Sequence, residues 1–593
     1  PAPQAARPAA EFPIGVLQRK IFRMRFEERV WHGLVPDHVA APARAPRVER
    51  LVEKPGPLRG AAAHFEPSQG GRGRDLHLVP GRPQVDLVGV VRTGAAALVL
   101  GLLPSGVRAD VRMPSIFSDH MVLQRDLANP VWGWADAGEE VVVVLGGQKQ
   151  TAQADAQGKW RVVLEPLPVG GPHTMVIEGR NRIAIQDVLI GEVWVCSGQS
   201  NMQQSVSTTK DADLTRHTAH YPNLRVITVP VLGTQEPQED FQGCWQPTTP
   251  DAVGGFTAAG YYFGLTLHQA LGVPIGLIHD SWGGSSCEAW IPRELLEADP
   301  QYQPLMDRWR EIEKNPDANK QQLANQHRPG NLYNGMLKPV IGYGIRGAIW
   351  YQGETNAGRA YQYRHMFPLM IKSWRDAWQQ GDFSFYWVQL ADFTAEPTEP
   401  GDSDWAELRE AQTMTQSLPN TGQAVIIDIG EANDIHPRNK EDVGERLARW
   451  ALAKDYGVDI ACRSAEYRSM EKQGQKIIVS FDHVAGELRP FDVDEIHGFT
   501  IAGEDRKFVV AQAKVVEQIV KQVNSAAGEA LLGWTALETG ANPQVSIYAK
   551  NGEALRIVDM PIGDPAWTPS YTAGIAMQMG IASGITSGPV LES

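Results

Sequence analysis

Residues 187–202, DVLIGEVWVCSGQSNM, decide how the chain is read. From Val188 to Cys196 the run is apolar except for Gly191 and Glu192 and shows no alternation of polar and apolar residues. Such a run reads as a strand covered on both faces, as in a parallel sheet packed between helices. It breaks into Gly198-Gln199-Ser200, where a glycine permits a tight turn and places a hydroxyl at the strand's carboxyl end. Open α/β sheets bind their ligands at that edge.

Similar runs recur downstream as VPIGLIHDSW (273–282), IRGAIWYQG (345–353), FSFYWVQL (383–390) and QAVIIDIG (423–430), the last read as a strand from Ala424 to Ile427. Helix-like stretches such as AAGYYFGLTLHQAL (258–271) and EDVGERLARWALAKDYG (441–457) lie between or after them. This alternation indicates an α/β fold, a mainly parallel sheet flanked by helices, over residues 190–460. Upstream, EEVVVVLG (139–146), KWRVVLEPL (159–167) and HTMVIEG (173–179) are short alternating runs separated by turn residues. They predict a small antiparallel, β-sandwich-like domain over 110–189. A charged, helix-rich stretch at about 290–326 reads as a helical insertion beside the site. Residues 461–515 read as a β-rich accessory region. Residues 516–593 receive no assignment, although VVEQIVKQV (515–523) is helix-like.

Composition narrows the function. The net charge of −14 is spread along the chain without a basic stripe, which excludes nucleic acid as a partner. The four cysteines are too scattered for a disulfide scaffold. No His-Glu-x-x-His and no phosphate loop ending in Lys-Ser or Lys-Thr occurs, so neither a metal nor a nucleotide cofactor is expected. Residues 1–91 are Arg- and Pro-rich with little periodicity. Then Arg92 precedes an apolar run from Ala95 to Leu103, and small residues lead to Ala109. That is the form of a signal peptide over 92–109, too short to span a membrane. A secreted or periplasmic bacterial protein without a membrane anchor is expected. Its working chain is expected to begin near Asp110, with 1–91 a non-native leader read through a displaced start site or a disordered one.

Ser200 on its own reads more readily as a helix cap than as a nucleophile. A serine hydroxyl becomes a nucleophile only when an imidazole takes its proton and an acceptor holds that imidazole's tautomer. Asp434 and His436 supply both groups in a loop that also follows an apolar run, so Ser200, His436 and Asp434 form the candidate catalytic set. Acyl transfer further needs donors aimed at the developing oxyanion. The Ser200 N–H, the glycine pair of Ser281-Trp282-Gly283-Gly284 with Gly284 as the candidate, and Gln352 in preference to Asn356 fill that role. Glu354 reads as a buried acceptor rather than the activating acid. Trp132, Trp134, Trp282, Trp290, Trp350 and Tyr351 lie near these loops and offer flat faces to sugar rings.

Taken together, GEVWVCSGQSNM (191–202), SWGG (281–284), NLYNGM (331–336), IWYQGETNAG (349–358) and DIHPRNK (434–440) resemble the sialate O-acetylesterase family, a branch of the SGNH hydrolases. MPSIFSDHMVLQRD (113–126) and PVWGWADAG (130–138) resemble the β domain that precedes the esterase domain in bacterial members. The resemblance implies an SGNH-like sheet, with Ser200 as nucleophile and His436 as general base. It also implies oxyanion donation by the Ser200 N–H, a glycine of the SWGG turn and Gln352. Many SGNH hydrolases carry Asp-x-x-His, whereas here Asn433 stands three residues before His436 and Asp434 two before. The implied substrate is an acetylated carbohydrate, either a plant polysaccharide such as xyloglucan or xylan, or O-acetylated sialic acid.

If the signal peptide reading holds, mass spectrometry of the secreted protein finds a mature N-terminus close to Asp110. A terminus upstream of residue 92 refutes it.

Overall fold

A computed structural model describes residues 110–395, 399–473, 476–484, 496, 499–502 and 508–515, with the backbone of the strand Gln544–Ala549. The leader, the signal peptide and the helix-like run beyond Val515 lie outside these residues.

One 17-residue strand, Arg182–Gly198, organises the fold. From Arg182 to Asp187 exposed and half-buried residues interrupt the burial, whereas every residue from Val188 to Gly198 is buried. The change follows from its neighbours. The first part pairs antiparallel with Gly170–Glu178, in a sheet with one face to solvent. The second lies between Ile275–Ser281 and Gly347–Tyr351, parallel to both. Parallel sheets are covered on both faces, which removes the polar alternation.

The strand runs through the boundary expected at residues 189 and 190 without a break, so the β region and the α/β region share a sheet. Across the parallel part the order is Thr421–Ala424, Ser384–Val388, Gly347–Tyr351, Arg182–Gly198, Ile275–Ser281 and Tyr221–Thr228, with Gln246–Thr248 antiparallel at the edge. The last apolar run pairs earlier than expected. Its strand is Thr421–Ala424, while Val425, Ile426 and Ile427 are buried beyond the ladder.

Successive residues of the central strand face opposite layers, as the period of a strand requires. Val193 and Val195 join a core with Trp374, Phe385 and Leu408. Trp194 and Cys196 join another with Phe263, Leu447 and Trp450. The helices Ala360–Trp378 and Asp404–Met414 contribute to the first core, and Ala258–Leu271 and Lys440–Lys454 to the second.

The N-terminal β region is sandwich-like as expected. Asn129–Trp134 pairs antiparallel with Lys159–Leu164, and Glu140–Leu145 pairs with Gln148–Gln153 and Gly170–Glu178. Fully buried Glu192 ties this region to the α/β sheet, accepting from Gln124 and Arg125 on one side and from Arg346 on the other. Burial opposes its charge, but hydrogen bonds from Arg346, Gln124 and Arg125 outweigh it and hold the carboxyl below the usual carboxylate range.

The insertion consists of helices Arg293–Ala298, Gln303–Glu313 and Lys320–Leu323. Glu313 fastens it by accepting from Arg293 and Arg328. In the C-terminal β region, Gln544–Ala549 fits between Lys476–Asp482 and Val509–Val515, antiparallel to both. The segment left unassigned in the sequence therefore supplies one strand.

At the end of the central strand, Gly198 has φ +140°, and a Cβ there would stand 2.2 Å from the Tyr351 carbonyl oxygen. Gly198→Ala is therefore expected to cost more than about 2 kcal/mol, the scale of backbone strain compounded by a clash. Unchanged urea unfolding of the variant would contradict this.

Candidate active site

The chain leaves Gly198 and turns through Gln199 into the short helix Ser200–Gln203. Ser200 is the first residue of that helix and not its cap, and no side chain caps this helix. The hydroxyl goes elsewhere: Ser200 Oγ lies 2.8 Å from His436 Nε2. The strand end and the 434–436 loop thus converge across 236 residues of sequence.

Asp434 does not complete the set as the sequence suggests. Its Oδ1 accepts the backbone N–H of His436 at 2.9 Å. The distance from Oδ1 to His436 Nδ1 is 3.8 Å, beyond hydrogen-bond length. Two residues of separation allow the carboxylate to close a turn on the backbone, and that local bond competes with the ring. The side chains of His436 and Asp434 are 42% and 49% exposed, so the pair opens to solvent.

The glycine turn lies beside the serine. A Cβ on Gly283 would stand 3.5 Å from Ser200 Cβ, and the Gly283 N–H is taken by Gln203 Oε1 at 2.8 Å. Gly284 has φ +70° and no acceptor for its N–H among the described residues, while its carbonyl accepts from Thr355 Oγ1. As the first residue of its helix, Ser200 likewise keeps its N–H outside the helical ladder. Two backbone donors expected at the oxyanion position are therefore unspent.

Gln352 differs from the expectation. It is fully buried, and its amide nitrogen donates to Ser285 O at 3.2 Å and Asn356 Oδ1 at 2.7 Å. Its amide oxygen accepts from Tyr363 at 2.9 Å. Both N–H groups are spent, so Gln352 braces the turns and has no proton left for an oxyanion. Asn356 is equally committed, accepting from Cys287 N and donating to Glu288 Oε2.

Trp290, Trp350 and Tyr351 are wholly buried and present no face to a sugar. Trp132 packs edge-on to Phe117, and Trp134 lies under Arg112. Only Trp282 among the six aromatics stands in the turn adjoining Ser200, half-buried. Glu354 is an acceptor, as read, but half-buried, with Asn201 Nδ2 at 2.6 Å. Burial raises its carboxyl above the usual range, against hydrogen bonding from Asn201 and the charge of Lys440.

The sequence reading gave no role to Asn201 or Lys440. Asn201 directly follows the serine, and Lys440 closes the DIHPRNK run. Both are buried and hydrogen-bonded to each other at 2.9 Å. Their adjacency to Ser200 and His436 was the available signal, but a polar residue beside a motif says nothing about its depth. Among the described residues, no group of three or more His, Cys, Asp or Glu gathers closely enough to hold a metal ion. None of the described helices is long and apolar enough to cross a membrane.

Residues 190–453 match the family model described as carbohydrate esterase, sialic acid-specific acetylesterase. The sialate O-acetylesterase of Mus musculus is 30% identical over 421 residues, covering 61% of this chain and 77% of the mouse protein. That of Homo sapiens is 32% identical over 412 residues, covering 61% and 76%. A crystal structure of a carbohydrate acetylesterase from Xanthomonas citri is 34% identical, with a TM-score of 0.64, covering 75% of this chain and 93% of that one. Identity of this level across most of each relative, with Ser200 and His436 joined at the sheet edge, leads to one conclusion: the chain belongs to the sialate O-acetylesterase family of carbohydrate esterases.

Proposed function

We propose that the protein is a secreted serine esterase that removes O-acetyl groups from plant cell-wall polysaccharide, of the xyloglucan or xylan class. The observation that carries the esterase reading is the 2.8 Å contact between Ser200 Oγ and His436 Nε2. His436 takes the hydroxyl proton as Ser200 Oγ attacks the acetyl carbonyl. The oxyanion that forms faces the N–H groups of Ser200 and Gly284, two of the three expected donors, without the Gln352 amide. His436 returns the proton to the departing sugar oxygen, leaving acetyl-Ser200. Water, deprotonated by His436, hydrolyses that ester to acetate.

The openness of the site supports a polymeric substrate, since a histidine side chain 42% exposed lets an acetyl group reach Ser200 while the rest of a long glycan stays outside. The second reading is O-acetylated sialic acid, favoured by the names of the mammalian relatives. Secretion rests on the segment 92–109.

Acetate release from acetylated xyloglucan, acetylated xylan and O-acetylated sialic acid, measured side by side, distinguishes these. The polysaccharides are expected to be the better substrates, and preference for the sialate reverses the assignment. Ser200→Ala is expected to lower turnover on the best substrate at least about a thousandfold, because nucleophile and base act as one unit. Retained turnover in the pure variant rules out Ser200 as nucleophile.

Asp434→Asn keeps an oxygen for the His436 N–H while removing the charge. With the ring nitrogen 3.8 Å from the carboxylate, turnover should fall less than about tenfold, against about 10⁴-fold where such an acid binds the ring directly. A loss near the larger figure would make Asp434 the orienting acid.

A further inference from the structure

Beneath the Ser200–His436 pair lies a buried polar group that the acyl-transfer steps leave unused. Asn201 Nδ2 donates to the Ile435 carbonyl at 2.9 Å and to Glu354 Oε1 at 2.6 Å. Asn201 Oδ1 accepts from Lys440 Nζ at 2.9 Å, and Lys440 Nζ also donates to the Pro437 carbonyl. Ile435 and Pro437 are the two neighbours of His436. The loop before them is exposed from Glu431 to Asp434. Asn201, in turn, is covalently next to Ser200.

We propose that Asn201 and Lys440 are positioning residues, a buried clamp that grips the carbonyls on both sides of His436 and so fixes its imidazole against Ser200. This rests on reading Ser200 and His436 as the reacting pair. The clamp joins base to nucleophile by a short path: the Ser200–Asn201 peptide, then hydrogen bonds to the peptides flanking His436. Lys440 is an unfavourable residue to bury without such a task. Burial pushes its ammonium down to about 7, while the charges of Glu354, Asp434 and Glu431 draw it back. The Tyr351 ring lies 5.5 Å from Nζ and adds a favourable face.

The test compares purified Lys440→Met with the parent on an acetylated sugar and on an aryl acetate. A sugar alkoxide leaves only when His436 protonates it, whereas an aryloxide departs without that help. A misplaced imidazole therefore harms the sugar ester more, while a reduced folded fraction lowers both rates equally. Turnover on the sugar acetate is expected to fall about a hundredfold, with KM within about twofold and a distinctly smaller loss on the aryl acetate. Equal losses on both esters, or no loss, overturn the clamp. If Lys440→Met does not accumulate as folded protein, Asn201→Ala must show the same split or the proposal fails. Ser200→Ala and His436→Ala serve as controls. Activity in either removes the reacting pair itself, whereas inactive controls beside a fully active Lys440→Met remove the clamp alone.

Discussion

The constraint on which the site depends is the approach of Gly198 to the backbone of Tyr351. A Cβ on residue 198 would meet the Tyr351 carbonyl oxygen, carbon and nitrogen at 2.2, 2.7 and 2.9 Å. Because the two strands crowd there, the Gln199 N–H reaches back to the Tyr351 carbonyl at 2.9 Å and the Trp282 N–H to the Gly198 carbonyl at 3.1 Å. Three adjacent strand ends are thereby stitched into one surface. Ser200, the Trp282–Gly284 turn and the Gln352–Thr355 turn all leave from those ends. Their mutual spacing is a property of the sheet and not of flexible loops.

That surface is held from below by buried amides that are hydrogen-bonded across several elements. Gln352 links Ser285, Asn356 and Tyr363, and Gln412 donates in turn to the Gln352 carbonyl at 3.0 Å. Gln199 Oε1 accepts from Gly353 and Thr355. Buried polar groups are expensive unless paired, so each of these bonds favours the one geometry in which its partners meet.

The strands were legible because burial on both faces leaves an unbroken apolar run, and Ser200 and His436 because each follows such a run. The domain boundary was not, since a strand that exchanges antiparallel neighbours for parallel ones contains no turn residue at the exchange. The 424–427 run shows a related ambiguity: Val425 to Ile427 are buried without extending the ladder, so apolar character marked depth and not pairing. Gln352 was misread for a different reason. An amide at a strand end serves equally as donor to a ligand or as brace, and its partners Ser285 and Tyr363 lie in other elements. Trp290, Trp350 and Tyr351 likewise occupy the core although they border the motif turns.

What orients His436 can be weighed by magnitude. Two opposite charges about 4 Å apart in water attract by about 1 kcal/mol, and the exposed Asp434 carboxylate is near that limit with respect to the ring. Hydrogen bonds that involve a charged group and are shielded from water contribute about 1.5–3 kcal/mol each. The contacts of Asn201 and Lys440 to the carbonyls of Ile435 and Pro437 include one from an ammonium, and both donors are buried. The larger restraint on the histidine therefore comes from beneath, through its backbone, and the acidic side chain at the surface adds the smaller one. An active site arranged in this way can leave its base open to a bulky glycan without losing the alignment of base and nucleophile.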